Sequence, residues 1–268
     1  MFENLFSLDG RTALITGGSR GIGKMIAAGF IAHGAKVYIS SRKADQCNAT
    51  ADELSQGSDR CISIPQNIST VEGCKSLTEE YQSREGHLDI LVNNAGAAWG
   101  ADFEEFPEHG WDKVMDLNVK SPFFLTQALY KTLKAAASDD RPAKVINIAS
   151  IDGIRLNPWE TYSYHASKSA LIYLTRRIAA RLIHDRIVVT GIAPGPFASE
   201  MNRAARDNPD EVAKQTPLGR IGRDEDMAGA AIYLASKAGD YVVGDTIAVD
   251  GGIAYSNLGS DSISASGE

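Results

Sequence analysis

The sequence predicts an α/β fold in which one domain carries a doubly wound parallel sheet of seven strands. Short runs rich in β-branched residues alternate along the 268-residue chain with longer stretches that have helical spacing of apolar residues. Most of the short runs lack strict apolar–polar alternation, as expected of strands that helices cover on both faces. With 43% hydrophobic residues the chain can bury a sizeable core, and no shift in composition marks a second domain.

The elements follow from this alternation. The predicted strands, in chain order, are residues 12–16, 36–41, 61–65, 88–92, 144–149, 186–192 and 245–250. Apolar residues at three- and four-residue steps predict helices that include residues 21–33 and 167–184. Residues 137–143 ("ASDDRPA") are typical of a surface loop before the fifth strand.

The longest interruption between strands is residues 195–222. This stretch is irregular and contains several helix and strand breakers, namely Pro196, Pro209, Pro217, Gly219 and Gly222. We expect it to form a substrate loop within a single domain that spans residues 1–256. The remaining residues, 257–268, are small and polar, which predicts a disordered tail.

Composition and charge exclude several classes of protein. The 27 basic and 34 acidic residues give a net charge of −7, which argues against a nucleic-acid groove. No apolar run approaches the roughly 18 residues of a membrane span, and the start "MFENLFSLDG" lacks the basic region of a signal peptide. Cys47, Cys61 and Cys74 fit neither a disulfide framework nor a zinc pattern. We therefore expect a cytoplasmic protein with reduced thiols, no bound metal, and no nucleic-acid or membrane partner.

The stretch "TGGSRGIGKM" (16–25) fits two kinds of phosphate-binding turn. Gly18-x4-Gly23-Lys24 is nearly a nucleoside-triphosphate P-loop, but that motif needs a hydroxyl next, and Met25 cannot bind magnesium. The same stretch is a Thr-Gly-x3-Gly-x-Gly turn between a predicted strand and a predicted helix. There a pyrophosphate meets free N–H groups and the positive end of the helix dipole.

Each glycine has a physical task in the dinucleotide interpretation. Gly17 permits the tight turn, Gly21 lets the backbone approach the ligand, and Gly23 lets the helix pack closely on the sheet. An ordinary strand-to-helix turn is the alternative. This alternative is disfavoured because a predicted strand comes directly before the motif and a predicted helix directly after it, as a dinucleotide-binding turn requires.

The end of the second predicted strand bears on the choice of dinucleotide. A protein that binds the ribose hydroxyls of NAD is expected to carry a carboxylate there, and the sequence instead has Ser40, Ser41 and Arg42. The guanidinium of Arg42 suits a 2′-phosphate, and Arg20 in the glycine turn can supply a second one. The alternative is that Arg20 and Arg42 are solvated surface residues that bind no phosphate. Together with the missing acid, the two arginines favour NADP(H) over NAD(H).

Acid–base chemistry is indicated by Tyr164-x3-Lys168. The two side chains lie one helical turn apart and share a face. A free tyrosine has a pKa of about 10, and a neighbouring ammonium is expected to lower it. Tyr162 has Ala166 at the same spacing and lacks this support. Ser150 ends the fifth predicted strand at its carboxyl end, where ligands bind in such sheets.

These motifs together resemble the short-chain dehydrogenase/reductase family, and the resemblance runs from about residue 8 to residue 253. It rests on "TGGSRGIG" (16–23), "NNAG" (93–96), Asn118 in "LNV", Ser150, Tyr164-x3-Lys168 and "PGPF" (194–197), which occur in the family's order. The resemblance implies a Rossmann fold and an oxidoreductase that interconverts a ketone and a secondary alcohol.

The resemblance also implies the roles of individual residues. Tyr164 exchanges the proton with the substrate oxygen, and Ser150 hydrogen-bonds that oxygen. Lys168 binds the nicotinamide ribose and lowers the pKa of Tyr164. Asn118 keeps a water in the proton relay, or alternatively only braces the neighbouring strand. The catalytic residues implied are therefore Asn118, Ser150, Tyr164 and Lys168.

The implied cofactor contacts lie along the carboxyl ends of the strands. Where the family usually has an aspartate toward adenine, this sequence has Asn67, whose carbonyl can accept the same hydrogen bond, so we expect weakened adenine binding. "NNAG" can alternatively serve only to brace the sheet. The implied contacts are Gly17, Ser19, Arg20, Gly21, Ile22, Gly23, Ser41, Arg42, Asn67, Ile68, Asn94, Ala95, Gly96, Tyr164, Lys168, Pro194, Gly195, Phe197 and Ser199.

Substrate and assembly depend on resemblance alone. Within the family the framework is similar to 3-oxoacyl reductases of the rhamnolipid-pathway type, but a framework does not choose a substrate. A dehydrogenase of another small or polycyclic alcohol and a catalytically silent dinucleotide sensor are the alternatives. The substrate pocket is expected to include Asp152, Trp159, Trp99, Met201 and residues 196–216. Assembly as a homotetramer, or a homodimer, is expected through helices at 110–136 and 162–183 and the strand near 245–253.

Overall fold

A seven-stranded parallel sheet organises the computed structural model, which describes residues 3–256. Its strand order is β3-β2-β1-β4-β5-β6-β7. The order in which strands are added to the sheet therefore reverses between β1 and β4, while all strands stay parallel. Ligands bind in such sheets at the carboxyl ends of the strands beside this switch point. The predicted doubly wound fold is thereby confirmed. The strands are β1 (Thr12–Thr16), β2 (Lys36–Ser40), β3 (Cys61–Ser63), β4 (Ile90–Asn93), β5 (Ala143–Ile148), β6 (Ile187–Pro194) and β7 (Thr246–Val249).

Helices cover both faces of the sheet. One apolar core joins the sheet to α1, α2 and α10 through side chains such as Phe30, Cys47 and Met227. The other joins it to α3, α5, α6 and α7, with Leu77 and Leu133 among its members. The helices are α1 (Gly21–Ala32), α2 (Ala44–Ser55), α3 (Val71–Gln82), α4 (Glu108–Met115), α5 (Ser121–Ala128), α6 (Tyr130–Ala136), α7 (Tyr162–Leu182), α8 (Arg203–Asp207), α9 (Pro209–Ala213) and α10 (Asp224–Ala235).

Local hydrogen bonding sets the strand ends that differ from expectation. Strand β3 ends at Ser63, its last residue paired in the ladder with β2, although the Gln66 N–H still donates to the carbonyl of Ser41 at 3.0 Å. Strand β4 begins after Asp89, whose carboxylate accepts the N–H of Thr12 at 2.9 Å. Strand β6 runs on to Pro194, because its pairing with β7 continues there.

The single helix expected over 110–136 is interrupted in the structure. A π turn, Asp116–Lys120, separates α4 from α5, and Leu129 separates α5 from α6. π turns often mark functional positions, since they re-aim one side chain within a helix. Here the π turn contains Asn118.

Two predicted segments have different outcomes. The stretch 195–222 is irregular as expected, although it holds the short helices α8 and α9. The predicted tail 257–268 lies outside the described residues.

Among the described residues, no helix combines the length and apolar character that crossing a membrane requires.

Candidate active site

A cleft of about 1080 Å³ runs along the carboxyl ends of the strands, from β3 to β6. It brings together every predicted catalytic and cofactor-contact residue except Gly23 and Asn118. The residues that line it come from segments that lie far apart in the sequence. Those segments meet only because parallel strands end at one edge of the sheet.

The glycine turn shapes the part of the cleft beside α1. Gly17 has a φ of +65°, and a Cβ there would lie 2.8 Å from Nδ2 of Asn94. A Cβ at Gly23 would collide with the carbonyl oxygen of Gly17, so Gly23 sets how closely α1 packs on the turn. Asn94 braces the turn by donating from Nδ2 to the carbonyls of Thr16, at 2.9 Å, and Gly17, at 3.2 Å. The bracing role foreseen for "NNAG" is therefore present.

The amino end of α1 suits a pyrophosphate. Arg20 is the N-cap residue, its side chain makes no capping hydrogen bond, and the first turn of α1 contains no acidic residue. The N–H groups of that turn lack partners within the helix, and the helix dipole favours an anion there. The glycine cradle and this donor set fit the dinucleotide implied by the motif.

Cationic side chains gather where the cleft passes the end of β2. Arg20 and Arg42 are both exposed and line the cleft, and within residues 3–256 neither forms an ion pair. Lys43, which sequence reasoning missed, lines the same end and is the N-cap residue of α2. The sequence feature that could have identified Lys43 is its position directly after Arg42. Asn67 also lines this end, and its Oδ1 accepts the N–H of Ser69 at 3.3 Å, leaving the other lone pair for a ligand.

The other end of the cleft holds the candidate reacting groups. Helix α7 carries Tyr164 and Lys168 on one face, and the Lys168 Nζ lies 5.6 Å from the centroid of the Tyr164 ring. Lys168 is buried, and its Nζ donates to the carbonyl of Ile148 at 2.8 Å. Ser150 follows β5, and its Oγ accepts the N–H of Asp152 at 3.1 Å. The three predicted side chains therefore converge at the end of β5.

The acid–base properties differ from the expected ones. Burial raises the pKa of Tyr164 to about 12; a hydrogen bond with Ser150 opposes this effect, and the Asp152 carboxylate adds to it. Burial lowers the pKa of Lys168 to about 8, against the influence of Asp152. The expectation that Lys168 lowers the pKa of Tyr164 is not met, because the loss of solvation outweighs the influence of neighbouring groups. Tyr164 is protonated at neutral pH and can act as a proton donor.

Asn118 lies beneath the cleft, not on its wall. It is buried, its Oδ1 accepts the N–H of Ala97 at 2.8 Å, and its Nδ2 donates to the carbonyl of Ala97 and to Ser167 Oγ, both at 2.9 Å. These bonds tie the π turn to the segment after β4 and to α7. The side chain therefore has the bracing role that was the alternative interpretation, and a part in a proton relay stays a prediction.

Three of the four single residues predicted for the substrate pocket line the cleft, namely Asp152, Trp159 and Met201. The prediction for Trp99 is wrong. Its indole packs on α4, where Gly110 leaves room for it, and it makes an edge contact with His109 at 4.9 Å between ring centroids. Sequence reasoning missed Arg155, which lines the cleft five residues after Ser150.

The three cysteines are thiols in the structure, as the sequence predicts. Cys47, Cys61 and Cys74 are buried and free, and burial raises the pKa of each thiol. Within residues 3–256 no group of three His, Cys, Asp or Glu side chains is placed to hold a metal ion.

Comparison with known proteins supports this assignment. The profile of a family described as enoyl-(acyl carrier protein) reductase matches residues 17–254. A rhamnolipids biosynthesis 3-oxoacyl-[acyl-carrier-protein] reductase of Pseudomonas aeruginosa is 46% identical, over 92% of this chain and 97% of the relative. A 5-keto-D-gluconate 5-reductase of Escherichia coli is 35% identical, over 94% of this chain and 98% of the relative.

The fold is also similar to that of a solved relative. The Pseudomonas aeruginosa RhlG/NADP active-site complex has a TM-score of 0.90 and 45% identity, and the match covers 94% of this chain and 99% of that one. A likeness of this extent includes both ends of the cleft, from the glycine turn to the segment after β6. With the motifs in order and the matched profile over most of its length, the chain belongs to the short-chain dehydrogenase/reductase family and is an oxidoreductase of CH–OH and C=O groups.

Proposed function

We propose that this protein is an NADP(H)-dependent oxidoreductase that interconverts a ketone and a secondary alcohol. The observation that carries the proposal is the single cleft that joins two sets of groups. Tyr164, Lys168 and Ser150 lie at one end, and the glycine turn with Arg20 and Arg42 lies at the other. That the RhlG relative was solved with NADP supports the choice of cofactor.

The residues divide the chemistry as follows. When bound in the cleft, NADPH would provide the hydride that reduces the carbonyl carbon. Tyr164, with its raised pKa, carries the proton at neutral pH and passes it to the carbonyl oxygen as that oxygen gains negative charge. Ser150 Oγ donates a hydrogen bond to the same oxygen. Lys168 binds the nicotinamide ribose hydroxyls and holds its ammonium beside the Tyr164 ring.

A 3-oxoacyl thioester is one candidate substrate. The Pseudomonas aeruginosa relative carries that activity in its name. In this chain Trp159 and Met201 line the cleft and are 64% and 51% exposed, so the cleft offers apolar surface to an acyl chain. Another small or polycyclic alcohol, or its ketone, is the alternative.

Binding and turnover test the proposal together. The purified protein should bind NADPH tightly and ATP not measurably. A panel of ketones and alcohols that includes 3-oxoacyl thioesters, followed by NADPH absorbance, should yield at least one reduced ketone. Tight binding of NADPH without turnover of any carbonyl in the panel would instead favour a silent dinucleotide sensor.

We also propose that the protein works in the cytoplasm as a homotetramer, built from a domain of residues 1–256 with its substrate loop at 195–222. Large side chains exposed on α4, α5 and α7 support the assembly, since single chains rarely expose so many together. They are Trp111, Phe123, Tyr162 and Tyr173.

Light scattering tests the assembly. The mass in solution should be about four times the 28.7 kDa of one chain, and a dimer is the nearest alternative. Replacing Trp111 and Phe123 on α4 and α5 with serine should lower the mass, because an interface loses affinity when its aromatic side chains are removed. A clean monomer for the wild type at micromolar concentration would argue against the assembly.

A further inference from the structure

Arg155 belongs to the segment that follows Ser150. A short 3₁₀ turn, Ile151–Gly153, begins directly after Ser150, and the Arg155 backbone N–H donates to the carbonyl of Ile151 at 2.8 Å. The position of Arg155 is thus fixed relative to a catalytic group. Its side chain lines the cleft at the end that contains Tyr164, opposite the end that contains Arg42.

Among residues 3–256, the guanidinium of Arg155 has no hydrogen-bond or ion-pair partner. Its Nε is buried and forms no hydrogen bond with any described residue. No carboxylate of residues 3–256 lies within 4.0 Å of its nitrogens. A buried N–H of a charged group is costly when unpaired, so such groups are generally satisfied by a protein group or by a ligand.

Three of the four acidic residues that line the cleft are already paired with basic side chains other than Arg155. These three form ion pairs with neighbours outside the cleft: Asp116 with Lys120, Glu200 with Arg206, and Glu211 with Lys214. Asp152 remains as the acid nearest in sequence, and its charge acts on Tyr164 and Lys168. Among the described residues, no carboxylate of the cleft wall forms an ion pair with Arg155, so its guanidinium is available to a ligand.

We propose that Arg155 binds a carboxylate of the substrate, so that the enzyme prefers oxo acids and hydroxy acids to neutral ketones and alcohols. The planar guanidinium presents paired N–H donors that match the two oxygens of a carboxylate. This inference rests on the proposed function, that the cleft reduces a ketone.

A matched pair of substrates tests the proposal without knowledge of the natural one. Linear oxo acids of increasing length, from 4-oxopentanoate upward, are compared with their methyl esters. The wild type should show the higher kcat/KM for the acid of at least one pair. Arg155→Met should lower kcat/KM for that acid by about 10- to 100-fold, chiefly through KM, because a charge-assisted hydrogen bond is lost. Its kcat/KM for the ester should stay within about twofold.

Two further variants separate charge from geometry. Arg155→Lys keeps the charge without the paired donors and should recover only part of the preference for the acid. Arg203→Met removes an exposed arginine on α8 that does not line the cleft, and it should leave the preference unchanged. Equal loss for acid and ester in Arg155→Met would show a structural role and overturn the proposal.

The outcomes also separate this inference from the function on which it rests. If the wild type reduces neither acids nor neutral ketones, the proposed function itself is wrong. If it reduces ketones but prefers the esters, or if Arg155→Met keeps the wild-type preference, only the assignment of Arg155 is wrong.

Discussion

Replacing Tyr164 with phenylalanine should lower kcat by at least about 100-fold, because general acid catalysis typically contributes two to four orders of magnitude. The change deletes one oxygen and leaves the ring that packs beside Lys168. The Kd for NADPH, measured by fluorescence, should therefore stay within about twofold of the wild-type value. A variant that keeps even a tenth of the wild-type rate would contradict the acid–base assignment.

Tyr162 provides the matched control for this experiment. It begins the same helix, is exposed, and its hydroxyl donates to Glu160 at 3.1 Å, outside the cleft. Tyr162→Phe removes the same atom and should leave kcat near the wild-type value. Equal losses in the two variants would indicate damage to α7.

Lys168→Ala should behave differently from Tyr164→Phe. The Lys168 side chain is buried, and its Nζ donates to the carbonyl of Ile148 while it faces the Tyr164 ring. Its removal should weaken NADPH binding as well as turnover, since the ribose contact and the ammonium are lost together. The contrast between the two variants distinguishes a proton donor from a residue that also binds the cofactor.

The fold could be predicted well because the residue patterns that specify its strands and helices are local in the sequence. Buried parallel strands need runs of β-branched residues, and the helices between them need apolar spacing, so both leave a pattern in the sequence. The ends of elements depend on single contacts that have no such pattern. Strand β3 ends two residues before its predicted end, and the carboxylate of Asp89 accepts the N–H of Thr12 just before β4. The break of the helix at Asp116–Lys120 likewise left no periodic signal.

The site could be predicted where a motif specifies the backbone or the spacing, as in the glycine turn and Tyr164-x3-Lys168. It could not be predicted where the contacts of a long side chain depend on which neighbours the fold brings near it. Trp99 was expected in the cleft and lies instead against Gly110, while Arg155 was missed although it lines the cleft. The pKa of Tyr164 also depends on burial, which is a property of the folded chain.

Changing Ser41 to aspartate and Arg42 to isoleucine should turn the preference of the enzyme from NADPH toward NADH. Ser41 and Arg42 follow the last residue of β2 and line the cleft beside Arg20. Arg42 and Arg20 should each give the 2′-phosphate a charge-assisted hydrogen bond, worth roughly 1.5–3 kcal/mol apiece. Even half of that total, allowing for solvent around two exposed side chains, corresponds to about tenfold or more in preference.

The double variant acts through two opposite effects. Arg42→Ile removes an attractive charge, and Ser41→Asp adds a carboxylate that repels the 2′-phosphate and can accept hydrogen bonds from the free ribose hydroxyls of NADH. Lys43 lies at the same end of the cleft and keeps a positive charge there. Adding Lys43→Met to the double variant should therefore move the preference further toward NADH.

The quantity to measure is the ratio of kcat/KM with NADPH to that with NADH, at two salt concentrations. The ratio for the wild type should exceed one and should fall with added salt, because both arginines are exposed and their charges are screened. Arg60→Ile removes an exposed arginine just before β3, away from the cleft, and controls for the positive charge that Arg42→Ile removes. That variant should keep the wild-type ratio. A wild type that prefers NADH, or a double variant whose ratio equals that of Arg60→Ile, would show that Arg20 and Arg42 do not select the cofactor.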